Sequence, residues 1–293
     1  MKSACLSLLV SLLFMTACGA GSGQTASPPQ ASAYIQNKGS DTMVNLALAW
    51  AERYQAEHPD VSLSVTGGGS GTGIAALING TVDIANASRA MTADEIKQAE
   101  ANGITPVEFV VSRDAIAVVV NPENPVQRLT LQQISDIYSG KINNWSTVGG
   151  DDRPIVRLSR ETNSGTHVYF LQTVIRLGDN NNKTLFSTDT LLLPSSEGII
   201  NEVRQNPNAI GYDGLGYIPP DLMNSVIAVA HDASGPYVIP SIATVNDNSY
   251  PVARDLYMYT AGEPAGAIKD YINWILSPEA QTIVANLGFV PIK

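Results

Sequence analysis

The strongest constraint on this chain is an alternation of short strand signals with amphipathic helix signals, joined by turns of glycine, serine and threonine. Tyr34-Ile35-Gln36 reads as a strand. Met43, Leu46, Ala47, Trp50, Ala51 and Tyr54 then recur at helical spacing, until His58-Pro59 stops the helix. Val61 to Val65 alternates as a half-buried strand does, Ile74 to Asn79 is helical and closed by Gly80, and Val82 to Ala85 is a strand again. Thr92 to Asn102 follows as a polar helix capped by Gly103. Further on, helices are expected over Thr130–Tyr138, Val168–Arg176, Ser195–Arg204, Ala265–Leu276 and Pro278–Asn286, with strands at Ile155–Leu158 and Ile210–Tyr212. Alternation of this kind predicts an α/β fold with a mainly parallel sheet. Val107 to Val120 and Tyr250 to Tyr259 are long extended stretches, and the former exceeds an ordinary strand.

Three of the turns share one design. Gly39-Ser40-Asp41-Thr42, Gly67 to Gly73 and Arg160-Glu161-Thr162-Asn163-Ser164-Gly165-Thr166 are small and hydroxyl-rich, and each runs into a helix. A helix start carries unpaired N–H groups and partial positive charge, so it favours an anion. Ser, Thr, Asp and Gly are also ordinary helix caps, and any single turn admits that reading. The three together, with Arg160 built into the last, point to a small oxyanion held mostly by neutral donors. A guanidinium can grip two oxyanion oxygens at once. The Gly67–Gly73 loop has no Gly-Lys-Ser/Thr ending and is not a nucleotide phosphate loop. Nor is it a nucleophile elbow, because Thr72 stands two residues after Ser70 where glycine would be needed.

Bulk properties narrow the partners. The chain has 293 residues, 44% hydrophobic and 15% charged, enough to bury one large core or two modest ones. Its formal net charge of -10 argues against nucleic acid, and means an anion must be held by local donors rather than by the overall field. Catalysis has little support. The three histidines, His58, His167 and His231, form no triad or metal spacing, so neither a metal site nor a cofactor is expected. His58 reads as a helix-end residue and His167 as a surface or capping one. Trp50, Trp145 and Trp274 read as packing residues.

The beginning of the chain reads as a targeting segment: Lys2, then an apolar run from Leu6 to Met15, then small residues before Cys18. Met15-Thr16-Ala17-Cys18 resembles a lipobox, with Met15 in place of the favoured leucine. Residues 1–17 are thus expected to be a signal peptide, and Cys18 the lipidated first residue of a flexible linker over 18–33. The other cysteine, Cys5, lies in the removed segment, so no disulfide is expected.

The ordered set of motifs resembles the phosphate-binding lipoproteins and periplasmic proteins of the bacterial phosphate ABC importer. The resemblance is carried by the three turns, by Asp83 to Arg89, by Arg113 to Val118, by Ser277 to Gln281 and by Gly288 to Pro291. It implies a two-lobed periplasmic-binding-protein fold of type II, with mixed sheets and hinge strands near Asp114 and Arg254. The implied boundaries are lobe 1 over 34–113 plus 255–293 and lobe 2 over 114–254. It implies phosphate contacts from Ser40, Asp41, Thr42, Ser70, Arg89, Arg160, Ser164, Gly165 and Thr166. It further implies a monomer without enzymatic activity, lipid-anchored outside the cytoplasm at the periplasmic or outer membrane face and delivering phosphate to a membrane permease.

One departure bears on selectivity. Some family members carry an aspartate where this chain has Ser88-Arg89, and it accepts the proton that phosphate has and sulfate lacks. Here Arg89 would add a second cation, and Asp41 is the remaining candidate acceptor. Sulfate, molybdate and tungstate therefore stay open as ligands. The same motifs are compatible with a secreted phosphate-ester hydrolase, and with a surface sensor or adhesin built on this fold.

Overall fold

The structure, a computed structural model, describes residues 33–292; the expected signal peptide and Cys18 lie outside them. The chain runs β1 (Ala33–Gly39), α1 (Val44–Glu57), β2 (Val61–Thr66), α2 (Ser70–Ile78), β3 (Ile84–Ala87), α3 (Ala93–Ala101) and β4 (Val107–Val120). There follow β5 (Arg128–Thr130), α4 (Leu131–Tyr138), β6 (Val156–Arg160), α5 (Gly165–Phe170), β7 (Leu191–Leu193), α6 (Ser196–Gln205) and β8 (Ala209–Gly214). The last elements are β9 (Ala228–Ala230), α7 (Ile242–Asn246), β10 (Ala253–Thr260), α8 (Gly266–Ile275) and α9 (Pro278–Asn286).

One eight-stranded sheet has the order β2-β1-β3-β10-β4-β8-β6-β7. Its two ends are parallel: β1 pairs with β2 and β3, and β6 pairs with β7 and β8. Its centre is antiparallel, because β10 lies against both β3 and β4, and β4 against β8. The sheet is therefore mixed, and the expectation of a mainly parallel one holds only at the ends. The reason is the path of the chain. β4 pairs with β10 from Val107 to Ala115 and with β8 from Ile116 to Val120, so it runs from one end of the sheet into the other. β10 then brings the chain back, and a returning strand beside an outgoing one must be antiparallel.

The buried apolar residues divide along the same line. Ile35, Met43, Leu46, Trp50 and Tyr54 pack with Val111, Leu256, Met258, Tyr271, Ile275 and Val284. On the other side Val118, Ile134, Tyr138, Trp145, Phe170, Ile210 and Tyr212 share a core. Phe170 and Tyr212 stack there with ring centroids 3.6 Å apart. Residues 115–120 of β4 are all buried, as a strand covered on both faces must be. The Trp50 indole donates to the Ala280 carbonyl and that of Trp145 to the Asn208 carbonyl, which makes both packing residues with satisfied polar ends.

Local sequence sets the helix boundaries. Thr92 and Thr130 each build a reciprocal cap with the residue three positions on, Glu95 and Gln133. Gly80 and Gly103 close α2 and α3 with φ of 66° and 75°. The helix expected from Val168 starts earlier, at Gly165, and continues beyond Phe170 as a π-helical turn over Leu171–Ile175. The hydroxyls of the third turn thus sit at the start of α5 itself.

Candidate functional site

The three hydroxyl-rich turns meet. Ser40, Thr42, Ser70, Ser164 and Thr166 are all buried, although each belongs to a polar turn. The Thr42 and Thr166 hydroxyls lie 2.8 Å apart across 124 residues of sequence. Ser70 Oγ lies 3.2 Å from Ser88 Oγ and accepts from the Ser88 amide at 3.0 Å. The second and third turns interlock through Asn163: Gly71 N–H donates to its carbonyl, and its side-chain amide donates to the Gly68 carbonyl. Gly165 permits a close approach. A Cβ there would lie 2.3 Å from Ser70 Oγ and 2.5 Å from Ser88 Oγ, so any side chain would drive the hydroxyls apart. The first turn is fixed to the end of β3 by the Ser40 N–H donating to the Asn86 carbonyl.

Arg160, the last residue of β6, is 1% exposed and reaches this cluster through Asp41 of the first turn. Its Nη2 donates to Asp41 Oδ2 at 2.9 Å and to the Pro194 carbonyl. Its Nη1 donates to Ser196 Oγ at 2.8 Å and faces Asp213 Oδ2 at 3.5 Å. Both terminal nitrogens are therefore committed to protein acceptors, whereas Nε is buried without a partner. Burial pushes the Asp213 carboxyl up, and the Arg160 charge pulls it back in part. The hydroxyl of Ser40 is likewise buried without a partner. Orphaned buried donors are costly, and the residues of these turns and of the Ser88-Arg89 segment hold three, Ser40 Oγ, Arg160 Nε and Arg89 Nε.

A second buried guanidinium faces the same hydroxyls. Arg254 in β10 is paired in register with Asp114 in β4 and donates to Asp114 Oδ2 from Nη2 at 2.9 Å and from Nε at 3.3 Å. The same Nη2 reaches Thr166 Oγ1 at 3.0 Å, and Nη1 reaches the Ser88 carbonyl at 2.9 Å. Asp114 is fully buried, and burial outweighs Arg254 to raise its carboxyl to about 6. Sequence reasoning placed Asp114 and Arg254 only near hinge strands; their side chains and Ser88, Asp213 and Ser196 were missed as members of this cluster. The one available signal was the polar pair Arg113-Asp114 interrupting an otherwise apolar strand.

Arg89, next to Ser88, is tied to Glu95, and its Nε is buried without a partner. Nη1 and Nη2 each reach a Glu95 oxygen at 2.7 Å, and Nη1 also reaches the Ala90 carbonyl. His167 departs from its expected surface or capping role: it is buried, its ring Nδ1 is 3.0 Å from Ser159 Oγ, and it stacks on Phe186. Burial lowers its pKa, which keeps the ring neutral at neutral pH.

Chemically the arrangement offers buried hydroxyls close to two guanidinium groups whose charges are already balanced by carboxylates. That suits a compact oxyanion. Known proteins agree in kind. A crystal structure with bound phosphate, of a Clostridium perfringens protein described as a phosphate ABC transporter substrate-binding protein, is 33% identical; it covers 89% of this chain and 100% of that one, with a TM-score of 0.77. The phosphate-binding protein PstS of Pseudomonas aeruginosa is 29% identical over 97% of this chain and 94% of its own length. PstS of Bacillus subtilis is 29% identical over 96% of this chain and 90% of its own. The PBP superfamily domain matches residues 24–279, and the chain, with the mixed α/β sheet and near end-to-end likeness just described, belongs to that superfamily.

Proposed function

We propose that the protein binds inorganic phosphate at the meeting point of its three hydroxyl-rich turns and delivers it to the permease of an ABC importer. The observation that carries the reading is the meeting of Thr42 with Thr166 and of Ser70 with Ser88, in turns that also hold two buried donors with no partner, Ser40 Oγ and Arg160 Nε. The phosphate-bound relative and the two PstS proteins support the choice of anion. In this reading Ser40, Thr42, Ser70, Ser164, Gly165 and Thr166 supply neutral donors and Arg160 a charge that contacts the anion. Arg89, tied to Glu95, acts at the edge. The lobes run over 34–113 plus 255–293 and over 114–254, a division supported by the buried apolar clusters, each of which, Val290 apart, draws its buried residues from one side of it. Cys18 carries the lipid that holds a monomeric, non-enzymatic protein outside the cytoplasm.

Asp41 is the proposed acceptor for the phosphate proton. It stands between Ser40 and Thr42, and its Oδ2 already receives Arg160 Nη2 and the Ser196 amide. An unmet acceptor repels an anion that has no proton to offer, and that is how phosphate would be told from sulfate. Calorimetry of the mature chain with phosphate, sulfate, molybdate and tungstate tests both parts. Phosphate should bind most tightly, and Asp41→Asn should narrow its lead over sulfate. Preference for another anion overturns the choice of ligand, and unchanged selectivity in the variant overturns the role of Asp41.

A further inference from the structure

We propose that Arg254, held by Asp114, is a positioning residue of the anion site and acts through the Thr166 hydroxyl. The inference rests on the anion reading above and assigns this site a residue from the central strands.

A cross-link between β4 and β10 would need only the contacts to Asp114. Arg254 makes those and two more, to the Ser88 carbonyl at the end of β3 and to Thr166 Oγ1 at the start of α5. One guanidinium thus ties together three elements that reach the hydroxyl cluster from different directions. Arginine has only donors, so Thr166 Oγ1 must accept. One of its lone pairs is thereby used, while its hydrogen stays available to the cluster. Thr42 lies 2.8 Å away, and a single hydrogen passes between the two hydroxyls. The pair is left with one hydrogen directed outward and fewer lone pairs beside it. Its face is tuned to an oxygen that accepts. Asp114 keeps the guanidinium in this orientation from close by: a Cβ at Gly214 would lie 2.8 Å from Asp114 Oδ2 and 3.1 Å from Thr42 Cγ2. Tyr169 closes the outer side, with the Arg254 Cζ 5.5 Å from its ring centroid.

The test is a double-mutant cycle read by phosphate calorimetry at about pH 8, where Asp114 is ionised. Arg254→Met and Thr166→Val should each weaken phosphate binding by about tenfold to a hundredfold, the range for a lost charge-assisted hydrogen bond. The double variant should be little worse than the weaker-binding single one, because both remove the same oriented hydroxyl. Arg254→Lys, which keeps the charge and a donor, should recover part of the loss. Affinity in Arg254→Met within about twofold of the unaltered protein, or losses that multiply in the double variant, would overturn the proposal. Should Arg254→Met fail to fold, Arg254→Lys takes its place in the cycle, and losses that multiply with those of Thr166→Val would overturn the proposal. An unaltered chain that takes up no phosphate, sulfate or molybdate would instead refute the anion reading itself.

Discussion

Arg160 and Arg254 are both buried arginines that reach the same hydroxyl cluster, yet they are built in different ways. Arg160 sits at the end of a short strand and in a loop motif, and its terminal nitrogens are divided among Asp41, Ser196, Asp213 and the Pro194 carbonyl. It retains one buried donor with no acceptor. Arg254 sits inside a central strand, is matched to one carboxylate and spends its remaining contacts on Ser88 and Thr166. The first arrangement waits for a partner, and the second shapes the partners of others. A buried cation can therefore serve an anion site without touching the anion. Isolated buried charge is expensive, and both arginines are brought in with carboxylates that offset the cost.

This contrast can be broken experimentally. The largest effect is expected from Arg160→Ala: loss of phosphate binding by about a hundredfold or more, together with lowered stability because buried Asp213 loses its foremost cation. Near-native affinity in calorimetry would refute the direct role of Arg160. Next comes Gly165→Ala. Its new methyl would collide with Ser70 and Ser88, at a cost of roughly 1–3 kcal/mol in stability and a marked loss of affinity. A melting curve and a binding isotherm equal to those of the unaltered protein would show that the close approach of the turns is not needed.

Asp114→Asn probes the second arginine through pH. The Asp114 carboxyl titrates at about 6 when folded and near 3.8 when unfolded, so the folded protein holds its proton more tightly. That contribution to stability is complete below 3.8 and is lost as pH rises through 6. Asparagine does not titrate, so the melting-temperature difference, unaltered protein minus variant, should fall between about pH 4 and about pH 6.5. A flat difference would mean that Arg254 holds Asp114 ionised throughout. The smallest effect is expected from Arg89→Ala. Its guanidinium is engaged with Glu95 at the rim of the site, and a partly exposed ion pair is worth roughly 0–1 kcal/mol, so affinity should change by about fivefold or less. A larger loss would move Arg89 into direct contact with the anion.

Much of this arrangement was legible in the sequence because it is local. A strand, a glycine-rich turn and the first residues of a helix lie within about ten positions, and their chemistry can be read without knowing what lies opposite. The long run from Val107 to Val120 is one strand, as expected, and Gly80 and Gly103 end their helices. Three things were not legible from periodicity and spacing, for one reason, although the family resemblance did imply mixed sheets. The antiparallel centre of the sheet, the Asp114–Arg254 pair and the burial of His167 all depend on partners far along the chain. Asp114 and Arg254 are 140 residues apart, and Ser159, against His167, hydrogen-bonds Tyr212 across 53. Periodicity reports which face of an element is buried but not which residue is buried against it. Arg160 likewise was expected to present a two-pronged grip, and only its partners show that the prongs are already occupied.

The route of the chain through β4 and back through β10 has a consequence for how the molecule is made. The core around Tyr138 and Tyr212 is drawn, Val290 apart, from one continuous stretch and can close once that stretch has left the ribosome. The core around Trp50 cannot. It requires Tyr271, Ile275 and Val284, and its indole is satisfied only by the Ala280 carbonyl near the last residue. The segment translated first must therefore wait for the segment translated last. Chains truncated at residue 260 and released from the ribosome should show the middle of the protein resistant to protease and the beginning still open to it, and equal protection of both would refute that order.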